Sequence, residues 1–389
     1  VSYKPLFSRA LGADPKRLHF AAHSHHLWPD ASFDGQVQAW AEANRHADRK
    51  WELIFDEVIP EAQGHVAREL NLPSTDTVVF APNTHDFLLR IVSAVESKPV
   101  RILSTDGEFH SFRRQAARWE EAGEAVVTRV PLAPFDSFPA RFIEAARAGG
   151  HDLIMVSQVF FRTGWMVEAL EELAALADPA GPWVVVDGYH GFMAAPTDLS
   201  AVANRIFYVT GGYKYAMSGE GAGILHAPPG FAARPVVTGW FAEFGDLQGP
   251  PGGVGYTTDA GRFWGATFDP TPLYRFNAVR RMLDREGLTT ADVAAHARSL
   301  QVQFAEAGAV GRCGRLKEAD LLNPVRGDGP RARFLAFRHP DAQAWKARLQ
   351  DADVITDVRD DVLRFGFGLY QDESDVARLI EICRRVLQG

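Results

Sequence analysis

The sequence predicts an α/β protein, with a large domain built on a mostly parallel sheet flanked by helices and a small α+β domain after it. Three observations carry this reading. Short apolar runs rich in β-branched residues recur at 77–81, 100–104, 153–157, 183–186 and 206–209, each bounded by Gly, Pro or polar residues, as strands buried on both faces require. Helix-like segments such as 85–95 stand between them, the alternation that crossover connections demand. From Pro272 the pattern changes to long helical segments (273–286, 290–307, 341–351, 372–387) interleaved with short strands at 332–338 and 361–366. The expected organisation is an N-terminal strap over the active site (1–30), a large domain (31–271) and a small domain (272–389).

The totals bound the function. A chain of 389 residues has room for two domains with real cores. A net charge of −8 argues against nucleic acid or an anionic membrane as the main partner, and no apolar run approaches the ~20 residues that span a bilayer. The first residues lack the basic-then-apolar pattern of a signal peptide. Two cysteines, Cys313 and Cys383, are too few for a disulfide framework or a zinc ligand set. The expected compartment is the cytoplasm.

Along the chain, residues 18–30 (LHFAAHSHHLWPD) gather His23, His25 and His26 around Ser24, without cysteines or carboxylates at metal-ligand spacing. From 30 to 70, Val37, Trp40, Ala41, Ile54 and Val58 recur at helical spacing and read as packing positions. After the 77–81 strand, Asn83 or Thr84 is placed to cap a helix whose free N–H groups suit a phosphate. The 100–104 strand leads to Phe109, an aromatic that can be core or can face a ligand. Arg113 and Arg114 beyond it read as solvated.

The centre of the argument is 183–225. One strand ends in Asp187, with His190 three residues later; the next breaks at Gly211-Gly212 and delivers Tyr213-Lys214-Tyr215. Open α/β sheets place ligands at such C-terminal ends. A carboxylate and an amine at neighbouring ends suit pyridoxal phosphate, which a lysine holds as a Schiff base and an acid keeps protonated at the ring nitrogen. His190 is then expected beside Asp187 as its supporting partner. A surface salt bridge between sheet-end loops is the plainer reading, but Gly211, Gly212, Gly219, Gly221 and Gly223 give backbone room around this one lysine. On a small-domain strand, Arg364 can fork a substrate α-carboxylate as a lysine cannot.

Asp187-x-x-His190, a strand, Tyr213-Lys214-Tyr215 and a glycine-rich run resemble the fold-type-I pyridoxal phosphate enzymes of the class V aminotransferase group, kynureninase in particular. The resemblance runs from about residue 18 to 387 and implies a seven-stranded sheet. It also implies the cofactor phosphate at Asn83 and Thr84, Phe109 stacked on the pyridine, and Tyr213 beside the lysine and assisting proton transfer. Arg364 would take the substrate carboxylate, Ser24 would lie near the substrate, and Trp240 and Thr267 would reach the neighbouring site of a homodimer. The HSHH strap departs from the Asn-Ser-Leu-Gly expected there, and Phe161 stands where a polar contact to the ring hydroxyl is common. The implied activity is hydrolysis of the Cβ–Cγ bond of kynurenine or 3-hydroxykynurenine, giving anthranilate or 3-hydroxyanthranilate and alanine. The alternatives are a class V aminotransferase acting on another amino acid and a non-catalytic binding protein that keeps the fold. A cysteine desulfurase is disfavoured because Cys313, in AVGRCGRL, lacks the small-residue loop such a nucleophile needs.

Overall fold

A computed structural model describes residues 2–246, 253–325 and 329–388. After the short β1 (Leu18–His19), seven strands form the large sheet: β2 (Val78–Ala81), β3 (Val100–Thr105), β4 (Ala125–Val130), β5 (Leu153–Ser157), β6 (Trp183–Asp187), β7 (Ile206–Gly211) and β8 (Gly223–His226). Their order is β2-β8-β7-β6-β5-β3-β4, with β8 antiparallel to both neighbours and the remaining pairs parallel. The chain leaves β3 for β4 on one side, then returns to β5 on the other. That reversal opens a crevice at the C-terminal strand ends, where ligands of open α/β sheets bind. β6 and β7 pair directly, Asp187 opposite Val209, so the acid and the lysine leave the sheet at one edge.

β5, β7 and β8 are buried at every position, which explains why β5 and β7 read as unbroken apolar runs. β4 is an edge strand with Val126, Thr128 and Arg129 exposed, and β8 is four residues behind a glycine-rich turn. Neither shows the pattern of a central strand, and neither was expected from sequence.

The smaller sheet is antiparallel, in the order β12 (Asp357–Arg359), β13 (Val362–Gly366), β10 (Phe334–Arg338), β9 (Asp320–Leu321). β11 (Val354–Ile355) pairs in parallel with β1. Leu18 and Phe20 therefore belong to the small-domain core, so the first thirty residues are woven into that domain as well as crossing towards the large one. The boundary expected at 272 also moves. The helix Thr271–Arg285 buries Leu273, Phe276, Val279 and Leu283 in the large core, and the second core takes over from Ala297, inside the helix Thr290–Ala309.

One packing expectation is reversed. In the helix Asp30–His46 the buried positions are Ala31, Ser32, Gly35 and Ala39, whereas Val37 is 46% and Trp40 70% exposed. The helix Thr271–Arg285 lies against it so closely that a Cβ on Gly35 would come within 2.6 Å of the Tyr274 carbonyl oxygen. Small residues define this interface because the backbones touch, and the larger apolar residues are turned outward. Among the described residues, no helix is long and apolar enough to cross a membrane.

Candidate active site

At the end of β2, the Asn83 side chain accepts a hydrogen bond from the Asp86 N–H (3.0 Å) and starts the helix Thr84–Ser93. Gly223 of β8 passes so near that a Cβ there would lie 2.5 Å from the Asn83 carbonyl carbon, so only glycine lets the turn rest on the sheet. Asn83, Thr84 and His85 line one end of a cavity of about 250 Å³. The buried Nδ1 of His85 has no partner among the described residues. Backbone N–H groups and a positive helix end beside an unsatisfied imidazole make this the anion-accepting end of the cavity.

Asp187, His190, Tyr213 and Lys214 line the same cavity. Asp187 accepts a hydrogen bond from the Tyr189 N–H (2.9 Å), and burial raises its pKa against the opposing pull of that bond and of Lys214. Lys214 is 4% exposed, and burial brings its ammonium pKa down from 10.5 to about 7, with Arg364 and Arg359 adding to the fall and Asp187 resisting it. Its Nζ lies 2.6 Å from His190 Nε2. Burial first, and then Lys214, push the His190 pKa well below its usual range, so the ring is neutral and its Nε2 accepts from the lysine. His190 was expected to support Asp187; the structure turns it to the amine instead, because the turn after β6 satisfies Asp187 through its own backbone N–H. Tyr189, unremarked in the sequence although it sits inside Asp-x-x-His, packs on Tyr213 with ring centroids 5.1 Å apart, and Lys214 Nζ lies 4.9 Å from the Tyr189 centroid.

Phe109 precedes the helix His110–Glu121, and its ring centroid is 5.5 Å from Lys214 Nζ. It is held edge-on by Phe161 (centroids 5.3 Å apart), which also lines the cavity. Behind it, the fully buried Glu108 accepts from Thr105 Oγ1 (2.8 Å), Ser157 N (3.2 Å) and Ser157 Oγ (2.5 Å), tying the end of β3 to the end of β5. Burial raises the Glu108 pKa to about 7 against those hydrogen bonds. The sequence signal was available, an acid just before the aromatic at the end of a buried strand.

Arg364, 2% exposed, does not line the cavity itself; it lies on β13 behind the cavity-lining Phe161, its guanidinium donating to the Phe161 carbonyl and to Asp357. Three more expected residues lie outside the cavity lining. Ser24 is half-buried in a backbone turn and does not line the cavity, while its neighbour His23 is fully buried near Lys214 and Arg364. Trp240 Nε1 donates to Thr267 Oγ1 (3.3 Å) on the surface, away from the cavity of their own chain. The histidines of the strap diverge: His23 stacks on Phe334, His25 faces Glu220, and His26 Nδ1 donates to the Leu27 carbonyl.

The donor set fits pyridoxal phosphate. It has an anion-accepting helix end, a flat aromatic wall, a buried acid for the pyridine nitrogen and a free buried amine in one enclosed space. Fold and site together define a fold-type-I pyridoxal phosphate enzyme.

The chain belongs to the class V aminotransferase family, whose model matches residues 40–301, more than half its length. A second model, the kynureninase C-terminal domain, matches residues 293–383. Similar solved structures include the cystine C–S lyase C-DES bound to cysteine persulfide (TM-score 0.81, 16% identity, 97% of this chain and 100% of that one). Others are the apo cysteine desulfurase of Thermococcus onnurineus NA1 (0.79, 17%, 100% and 99%) and the cysteine desulfurase CsdA of Escherichia coli (0.76, 19%, 99% and 97%). At these identities the likeness shows the fold. A curated relative, isopenicillin N epimerase of Streptomyces clavuligerus, is 32% identical over 163 residues, 39% of this chain and 39% of its own length. The cofactor is pyridoxal 5′-phosphate and the chain is an enzyme, which sets aside the non-catalytic reading. Kynurenine hydrolysis is not singled out, since the kynureninase model matches the C-terminal residues 293–383 and the class V aminotransferase model the larger part of the chain.

Proposed function

We propose that the protein transfers the amino group of a small amino acid other than kynurenine to a keto acid, beginning with removal of the Cα proton by Lys214. The observation that carries this is the Lys214–His190 contact, an amine held near neutrality by burial and oriented by a neutral imidazole in the cavity that also contains Asp187. A base must be unprotonated at working pH to take a proton, and an ordinary lysine is not. The bound cofactor would supply a protonated ring that withdraws electrons from Cα. Asp187 would keep a proton at that ring nitrogen, Phe109 and Phe161 would shield the ring from water, and Asn83 and Thr84 would hold the phosphate. Tyr213 would assist proton transfer beside the lysine. Arg364 would take the α-carboxylate of the substrate.

Neither cysteine can carry sulfur. Cys313 and Cys383 are fully buried in the small-domain core, and burial pushes the Cys313 thiol up to about 12. The working form would be a cytoplasmic homodimer, in which the exposed Trp240–Thr267 pair of one protomer reaches the site of its partner. The match to the kynureninase C-terminal domain favours one second reading, hydrolysis of kynurenine.

The test incubates the cofactor-loaded protein with small L-amino acids and a keto acid in D₂O, followed by proton NMR. Loss of the Cα–H signal with appearance of a new amino acid is expected. Anthranilate fluorescence from kynurenine without any keto acid would establish the second reading instead, and exchange with no amino acid would overturn both.

A further inference from the structure

Arg364 has a carboxylate partner within its own chain. Asp357 of β12 and Arg364 of β13 are directly opposed in the antiparallel ladder, so both side chains project from one face. One Asp357 oxygen takes the Arg364 guanidinium; the other accepts from Arg359 Nη1 at 2.9 Å. The other terminal nitrogen of Arg364 is given to the Phe161 carbonyl, and its Nε has no partner. Both terminal nitrogens of Arg364 therefore already carry an acceptor, so a fork to an incoming carboxylate has to share a nitrogen with Asp357 or with the Phe161 carbonyl. His23 lies against the same carboxylate, Nε2 to Oδ2 3.7 Å, with neither ring nitrogen hydrogen-bonded. Burial lowers the His23 pKa well below its usual range, with Arg364 and Lys214 adding to the fall, so the ring adds no positive charge.

Two guanidiniums and one carboxylate leave a single positive charge and room for one more monoanion. Asp357 can move wholly onto Arg359, which already holds one of its oxygens and is part-exposed (37%), without becoming an unpaired buried charge. We propose that Asp357 is a built-in competitor for the substrate carboxylate. It occupies Arg364 while the site is empty and passes to Arg359 when an amino acid arrives, so the affinity for α-carboxylates is set by an exchange of anions rather than by Arg364 alone. This rests on reading Arg364 as the carboxylate-binding residue.

The test uses cofactor-loaded protein, with glycine as the carboxylate probe and methylamine as the amine that lacks one. Both are titrated by the visible absorption of the bound cofactor. With Asp357→Asn, which keeps shape and removes charge, the preference for glycine over methylamine should rise about fivefold or more, a usual size for coupling between two ligands of one group. With Arg359→Gln, which removes the alternative partner, that preference should fall by a similar factor. A preference unchanged or reduced in Asp357→Asn overturns the proposal and makes Asp357 a residue that merely positions Arg364. Arg364→Gln separates the two levels. If it leaves glycine binding intact, the carboxylate role of Arg364 fails; if it abolishes glycine binding while Asp357→Asn brings no gain, only the competitor fails.

Discussion

The protonation of Lys214 is the most direct physical claim about this site, and it is measurable in the cofactor-free protein. An ordinary lysine with a pKa near 10.5 is about one part in three thousand neutral at pH 7. Burial, assisted by Arg364 and Arg359 and opposed by Asp187, brings Lys214 to about 7, so about half of it is neutral there, a gain on the order of a thousandfold in reactive amine. The assay is brief acetylation across pH 5–10, with Lys214 followed by peptide mass spectrometry against the exposed Lys16. Labelling of Lys214 should rise through a midpoint near 7 and be flat above about 8.5. The variants fix the cause by sign. Asp187→Asn removes the one charge that holds the ammonium form in place, so the midpoint should fall. Arg364→Gln removes a repelling cation, so it should rise. A wild-type midpoint above about 9, or an upward shift in Asp187→Asn, would refute the reasoning.

Two further perturbations test the frame around the site. Glu108 has a raised pKa in the fold, so its contribution to stability is full below about 4.5 and is lost as pH rises through about 7. Glu108→Gln removes that loss. Its melting temperature should therefore gain on the wild type between pH 5 and 8, with about 3 kcal/mol as a ceiling, and a pH-independent difference would show that Glu108 is not protonated by burial. Gly35→Ala would add roughly 1 kcal/mol of helix propensity in isolation. Here its Cβ meets the Tyr274 carbonyl at 2.6 Å, so a net loss of about 1–3 kcal/mol is expected in chemical denaturation. A stabilised variant would mean that the helices stand farther apart than described.

What could be read in advance follows the range of the interactions. Asp187 and Lys214 were legible because a strand with both faces buried must be apolar until it leaves the sheet, so the first ionisable group after each run marks an edge. Neighbouring parallel strands place those marks together. Asn83 was legible because capping is local, spanning three residues from its side chain to the Asp86 N–H. The helix Asp30–His46 was misread because periodicity says which residues share a face, not which face is buried. Gly35 and Ala39 look neutral in sequence, and only the close approach of a helix more than two hundred residues later makes theirs the inner side.

The same reasoning explains why Asp357 escaped notice while Arg364 did not. An arginine in an apolar strand is conspicuous by itself, since its guanidinium is costly to bury without a counter-charge. That cost demands an anion but does not say whose. The antiparallel register of β12 and β13 provides one from seven residues away, and the carboxylate can be released because Arg359 shares it. If Arg364 takes the substrate carboxylate as proposed, that carboxylate must exceed an opponent already in place rather than fill an empty cation site. On the proposed reading, selectivity for amino acids over plain amines becomes a property of three side chains on one small sheet, two of which, Arg364 and Arg359, also act on Lys214 through their charge.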